Sequence, residues 1–176
     1  QSLSETAVGE SGSEEGQVNR PADVAVDKEG LIYVADWRND RIQKFTADGQ
    51  WEASIGSSGS GVGQLNRPNG LAVDADGDIY VADWMNNRVQ VFAPDGRYIT
   101  EFHGEAVLSK WGRDKLASNP DMIRQRSLAF SSDPDYEKKL AHPCGVKIDP
   151  EGRIVIIDHT RNRLQVYIKE AEPALV

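Results

Sequence analysis

The stretch GQVNRPADVAVDKEGLIYVADWRNDRIQKF, residues 16–45, returns as GQLNRPNGLAVDADGDIYVADWMNNRVQVF at residues 63–92. Pro21 and Pro68 are 47 positions apart, and so are Asp36 and Asp83. A more diverged copy, HPCGVKIDPEGRIVIIDHTRNRLQVY at 142–167, sets Pro143 and Asp158 a further 75 positions on. A period of this size marks a propeller or a solenoid, in which one unit cannot bury its apolar faces without neighbours.

Inside each copy the apolar residues come in short bursts. In the first they fall at 24–26, 31–35, 42–45 and 51–55, separated by turn chemistry such as Lys28-Glu29-Gly30 and Ala47-Asp48-Gly49. That pattern predicts four strands joined by hairpins. The bursts IYVA (32–35 and 79–82) and IVII (154–157) are too short for helices. They are also too continuously apolar for a sheet with one wet face, so both faces must be covered. Blades stacked face to face around an axis meet that demand.

The residues that carry the pattern, Pro21, Asp27, Gly30, Asp36, Asn39, Arg41 and Phe45, recur as Pro68, Asp74, Gly77, Asp83, Asn86, Arg88 and Phe92. This set resembles the NHL repeat of β-propellers. The third copy keeps Pro143, Gly145, Asp149, Gly152, Asp158, Arg163 and Tyr167 but has Arg161 where the pattern has Asn, and the first copy has Asp23 in place of Gly70 and Gly145. The resemblance implies an all-β NHL-type propeller with three blades in this chain.

Shifting by one period lays Val8, Gly9, Gly16 and Arg20 on Ile55, Gly56, Gly63 and Arg67, so the first residues read as the outer strand of a preceding blade. The third copy, by contrast, lacks the Pro-Asp-Gly turn of 94–96 and the strand after it. The units are therefore read as 1–15 (an orphan outer strand and linker), 16–62, 63–104, an insertion at 105–140, and 141–176 without its outer strand. Three blades are too few to close a ring, which takes about four to eight. Two copies related by a twofold axis would make six, each first strand completing the other copy's last blade. The rival reading is the C-terminal half of one longer six-bladed chain, and the absence of Met before Gln1 favours truncation or processing.

The chain has 176 residues, 39% of them hydrophobic, with no apolar run long enough for a membrane helix. Its net charge of −8 counts against nucleic acid, since phosphate binding draws on Lys and Arg. One cysteine excludes an internal disulfide framework and leaves the compartment open. Between the second and third copies, 105–140 breaks the β pattern. Apolar residues near helical spacing and the Asn119-Pro120 and Asp133-Pro134 start signals predict two or three short helices. Val107, Leu108, Trp111 and Ile123 would dock this insertion on a propeller face or on a partner subunit.

Catalytic precedents in the resembled family, a zinc-dependent lyase and calcium-dependent lactonases, frame the search for a site. The lyase would need His directly after each repeat's proline, and those positions hold Ala22, Asn69 and Cys144. The chain's histidines are His103, His142 and His159, without metal-like spacing. Asp74-Ala75-Asp76-Gly77-Asp78 lacks the sixth-position Gly and twelfth-position Glu of an EF-hand loop and reads as a hairpin turn. No metal, cofactor or catalytic residue is therefore assigned. Trp37 and Trp84 hold equivalent places after the second strand, with His159 third, and aromatic residues in one ring of loops can anchor a partner. The reading is a non-catalytic scaffold that binds a protein, peptide or small ligand. Trp37, Trp84, His159, Asn69 and Cys144 are the binding candidates. The alternative is a hydrolase or lyase working at the channel mouth.

Overall fold

The structure is a computed structural model, and the residues it describes are 7–105, 118, 121, 124 and 138–169. A parallel bridge between β1 (Glu10–Ser11) and β2 (Gln17–Val18) precedes an antiparallel sheet of β3 (Pro21–Val26), β4 (Ile32–Asp36), β5 (Arg41–Phe45) and β6 (Trp51–Ile55), in that order. The unit then repeats. The bridge of β7 (Ser57–Ser58) with β8 (Gln64–Leu65) leads into β9 (Pro68–Val73), β10 (Ile79–Asp83), β11 (Arg88–Phe92) and β12 (Tyr98–Phe102). A third sheet holds β13 (Pro143–Ile148), β14 (Arg153–Asp158) and β15 (Arg163–Ile168). No helix among the described residues is long and apolar enough to cross a membrane.

The hairpins form where the sequence puts Asp three residues ahead of Gly. Asp27 Oδ1 accepts from Glu29 N–H (3.0 Å) and Leu31 N–H (2.9 Å), and Gly30 takes φ +86°. Asp74 does the same for Asp76 and Asp78 N–H with Gly77 at +87°, and Asp149 for Glu151 and Arg153 N–H with Gly152 at +78°. A side-chain acceptor that closes the turn and a residue free to go left-handed are together sufficient for it. Asp74 to Asp78 is thus the β9–β10 hairpin turn, as its sequence predicts.

The second sheet shows why the bursts are apolar throughout. Along β10, Ile79 and Val81 pack with Tyr33, Ala35, Ile42 and Ile55 of the first sheet. The alternate residues Tyr80 and Ala82 pack with Val146, Ile154 and Ile156 of the third. Each face of the pleat meets a different neighbour, so period-2 polarity has no place there. Burying a side chain of this size contributes about 1.5–3 kcal/mol, and each seam carries several.

The first strands of the three sheets, β3, β9 and β13, lie side by side. β9 and β13 come so close that a Cβ on Gly70 would sit 2.5 Å from Gly145 Cα and 2.9 Å from Val146 N. Asp23 stands at the equivalent place in β3, and its carboxylate takes Leu71 N–H at 2.9 Å and the Lys147 ammonium at 3.1 Å. The exception to glycine therefore ties the first sheet to both others.

The two end faces are open. Val24 is 54% exposed on β3, and Leu164 and Ile168 are 63% and 73% exposed on β15, whereas β9 and β11 of the same pattern are almost wholly buried. Residues 7–9 form no strand among the described residues, yet Val8 faces Gly49 as Ile55 faces Gly96. In 105–140, Ser118, Asp121 and Arg124 are exposed, and Asp121 and Arg124 have helical backbone as isolated positions. The short-helix expectation, with Val107, Leu108, Trp111 and Ile123, otherwise lies outside the described residues.

The close approach of β9 to β13 is testable. Gly70→Ala drives a methyl into backbone that cannot yield and should cost about 1–3 kcal/mol or more in chemical denaturation. Gly145→Ala meets the flexible end of Ile157 at 2.9 Å and should cost clearly less. Equal losses would remove the close-packing account.

Candidate functional site

Every sheet is organised at one end by an aspartate with no solvent exposure: Asp36, Asp83 and Asp158. Each closes its second strand, where Oδ1 receives a backbone N–H from the incoming loop (Asn19 2.6 Å, Asn66 2.7 Å, Ala141 2.8 Å) and Oδ2 receives an arginine Nε (Arg41 3.0 Å, Arg88 2.9 Å, Arg163 2.7 Å). Asn39 and Asn86 add their Nδ2 in the first two units. Burial pushes the Asp83 carboxyl up, and the bonds from Asn86, Asn66 and Arg88 pull against it. The arginines also donate to loop carbonyls, Arg88 to Gly61 and Gln64 among them. The repeated Asp and Arg thus brace each sheet to its own incoming loop.

That bracing presents a face. Directly after Asp36 and Asp83 the chain makes 3-10 turns, Trp37–Asn39 and Trp84–Asn86, which hold Trp37 and Trp84 with ring centroids 6.2 Å apart across the first seam. The residue ahead of each repeat's proline joins them. Arg20 and Arg67 place their guanidinium carbons 4.8 and 4.5 Å from the Trp37 ring centroid, and His142 lies 5.4 Å from Trp84. All three take positive φ, 56°, 58° and 52°, a conformation that β-carbons disfavour. In the second and third units a neighbouring sheet helps to hold them there, through Asp40 Oδ1 with Arg67 N–H and Asn87 Oδ1 with His142 N–H, both at 2.8 Å.

Arg20, Pro21, Ala22, Trp37, Asn69 and Trp84 line a cleft of about 300 Å3. Three of the sequence candidates, Trp37, Trp84 and Asn69, therefore share one site. His159 lies elsewhere, in a shallow depression beside Ile157 and Leu164 on the open side of the third sheet. Cys144 is half-buried and borders neither, and burial pushes its thiol up, away from the thiolate a nucleophile needs. Of the residues named for a channel-mouth enzyme, Asn69 and Trp84 line the cleft and His159 lines the depression on the third sheet. Among the described residues no group of three or more His, Cys, Asp or Glu is placed to hold a metal. Asp74, Asp76 and Asp78 do converge, on the Lys169 ammonium at 2.9, 2.8 and 2.8 Å. Burial alone would lower the lysine's pKa, and the bonds to Asp76, Asp78 and Asp74 outweigh it and raise it.

Sequence reasoning missed Arg20, Arg67 and His142. Their signal was present, a basic residue ahead of the proline in every repeat, but its meaning depends on a left-handed backbone that a pre-proline position does not predict.

Comparison with known proteins agrees with this architecture. The NHL repeat model matches residues 18–45 and 65–92. The chain is 38% identical over 61 residues to E3 ubiquitin-protein ligase TRIM71 of Gallus gallus, covering 35% of this chain and 6% of that protein. It is 53% identical over 38 residues to Protein wech of Drosophila melanogaster, 22% of this chain and 5% of that one. The chain thus spans only about a twentieth of the curated relatives it matches. Among solved structures, a structural-genomics protein from Bacteroides thetaiotaomicron shares 21% identity at a TM-score of 0.52, covering 78% of this chain and 32% of that one. Kuenenia stuttgartiensis hydrazine synthase shares 14% at 0.50, covering 94% and 38%. These likenesses concern the fold, an all-β propeller-like arrangement of antiparallel sheets.

The state of Cys144 can be read by alkylation. Iodoacetamide at pH 7 should label it several-fold more slowly than a free thiol, with the rate still climbing beyond the ordinary thiol range. Labelling at neutral pH faster than free cysteine would mean an activated thiolate and reopen the case for a nucleophile.

Proposed function

We propose, on the premise that this chain is an NHL-repeat protein of the β-propeller type, that it is a non-catalytic scaffold presenting the Trp37 and Trp84 face to a protein, peptide or small ligand. The observation that carries this reading is the cleft in which Trp37, Trp84 and Asn69 meet. Rigid aromatic rings set in a polar rim form the part of a binding surface where affinity concentrates, and here they rest on buried, braced turns. The 300 Å3 volume is at the small end for ligand sites, which fits a small molecule or a few residues of a peptide. The short identity to TRIM71 and Protein wech is consistent with a recognition module inside larger proteins.

The units we propose are 16–62, 63–104 and 141–176 as three blades, with 105–140 docking as a helical insertion. Residues 1–15 supply an outer strand to another subunit's last blade, so that two chains close a six-bladed ring. Two features support a second copy as the occupant of the open faces. Leu164 and Ile168 are apolar and exposed on β15, as is Val24 on β3, where the equivalent positions of the second sheet are covered. In addition, Asn162 stands with φ 51° where Asp40 and Asn87 stand, and those residues accept the N–H of Arg67 and His142 from the following sheet. The counterpart of that N–H for Asn162 is Arg20 of a following first sheet. No bond joins Asn162 to Arg20 within one chain among the described residues, and a twofold ring would make it twice.

For the face, peptides selected from a random phage-displayed library should lose at least tenfold in affinity for the Trp37→Ala, Trp84→Ala protein, whose mass and circular dichroism stay unchanged. Equal binding to the double variant would mean that the peptides dock elsewhere and the reading fails.

For the ring, light scattering at micromolar concentration should give twice the chain mass, since an interface of this kind buries about 2,000 Å2 or more. Leu164→Asp should shift it toward the single-chain mass. A stable, folded single chain in the unaltered protein would rule the ring out.

A further inference from the structure

We propose that the cleft selects a carboxylate, drawn by the guanidinium of Arg20, which lines it, and by that of Arg67 on the same Trp37 ring, on a small organic body that lies against the indoles. The inference deepens the scaffold reading and rests on it. Two cations are gathered around one ring, at 4.8 and 4.5 Å from its centroid. They can be no more than about 9 Å apart, close to the Debye length at physiological salt, so their mutual repulsion is only partly screened. Among the described residues neither guanidinium has an ion pair or a hydrogen bond. Asp40, the acid that touches this loop, has both oxygens occupied, by Arg67 N–H at 2.8 Å and by the Ser58 hydroxyl at 2.7 Å. The contrast lies in the recurring arginine of each repeat, where Arg41, Arg88 and Arg163 each have a buried aspartate.

A guanidinium stacked on an indole keeps its N–H edge free, and that fork matches the geometry of a carboxylate. Stacking also holds the fork in place before binding, so little side-chain freedom is lost when the anion arrives. The missing charge on this face is therefore a negative one, supplied by the ligand. The ligand's body is bounded by the rest of the lining: Pro21, Ala22 and Trp84 are apolar or flat, and Asn69 can donate or accept one hydrogen bond. A polyanion fits poorly, because the chain carries −8 overall and would repel a long phosphate backbone outside the cleft. A single carboxylate, free or borne on an acidic peptide, meets little of that field.

The indole N–H signals of the labelled full chain report on this directly, with Trp37 assigned through Trp37→Phe. Titration with benzoate should shift the Trp37 signal saturably, while benzamide, of the same shape without charge, should leave it within one-tenth of that change. Arg20→Gln and Arg67→Gln should each weaken benzoate at least tenfold and leave the Trp51 signal, which reports the first sheet, in place. The blocked peptide acetyl-Glu-Glu-Glu-Glu-amide separates the sources. Tighter binding than benzoate assigns the carboxylate to a peptide, and weaker binding assigns it to a free small acid; both support the proposal. Benzamide shifting Trp37 as strongly as benzoate would overturn the carboxylate while leaving the scaffold reading intact. Benzoate binding unchanged in both arginine variants, or no shift with either probe or the peptide at millimolar concentration, would overturn it as well.

Discussion

A buried carboxylate at the end of the second strand is the constraint on which this molecule turns. Asp36, Asp83 and Asp158 are withdrawn completely from water, a state that is strongly unfavourable for an isolated charge. Each is tolerated because a loop N–H and an arginine Nε converge on it. Removing one partner would leave a buried charge uncompensated, which typically costs about 3–5 kcal/mol. The incoming loop, the strand corner and the start of the third strand are thereby fixed to a single point. The recurrence of Asp and Arg five positions apart follows from that geometry.

Once the corners are fixed, the sheets can stack. The alternate residues of one apolar burst go to opposite neighbours, Ile79 and Val81 to the first sheet, Tyr80 and Ala82 to the third. A sheet used in this way is stable only between two others, and the exposed Val24, Leu164 and Ile168 mark where that rule is unmet in a single chain. At the inner edge the stacking is tight enough to exclude any β-carbon at Gly70. In the third unit Arg161 replaces the corner Asn, and Asp158 keeps the Gln165 Nε2 at 3.2 Å that Asp83 has from Gln90 at 3.3 Å.

The same corners carry the face proposed for recognition. Because the 3-10 turn begins directly after the buried aspartate, Trp37 and Trp84 emerge at a fixed angle and meet across a seam. The left-handed residues before the prolines bring Arg20, Arg67 and His142 onto these rings. Bracing residues and residues of the proposed face thus alternate along the chain, and a charge that the interior neutralises in Arg41 and Arg88 has no ion pair in Arg20 and Arg67 among the described residues.

The amino-acid sequence by itself determined the repeat, the strands, the Asp-Gly hairpins and the demand for two covered faces. These depend on local rules: side-chain alternation, the acceptor of an Asx turn and the freedom of glycine at positive φ. It also placed Trp37 and Trp84 at equivalent positions and gathered Asn69 with them as candidates. Only the tertiary structure decided that Asn69 joins the tryptophans while His159 and Cys144 stand apart, because that depends on which sheet each corner faces. The roles of Arg20 and Arg67 were decided there too. Arg20 meets the Trp37 ring within one sheet, where Pro21 pairs with Asp36, but Arg67 reaches the same ring across 30 positions only because two sheets dock, and no periodicity along the chain encodes that contact. Asp23 is the clearest case. In sequence it is a broken glycine, and in the fold it is a carboxylate that reaches Lys147, 124 positions on, because three inner strands have come side by side.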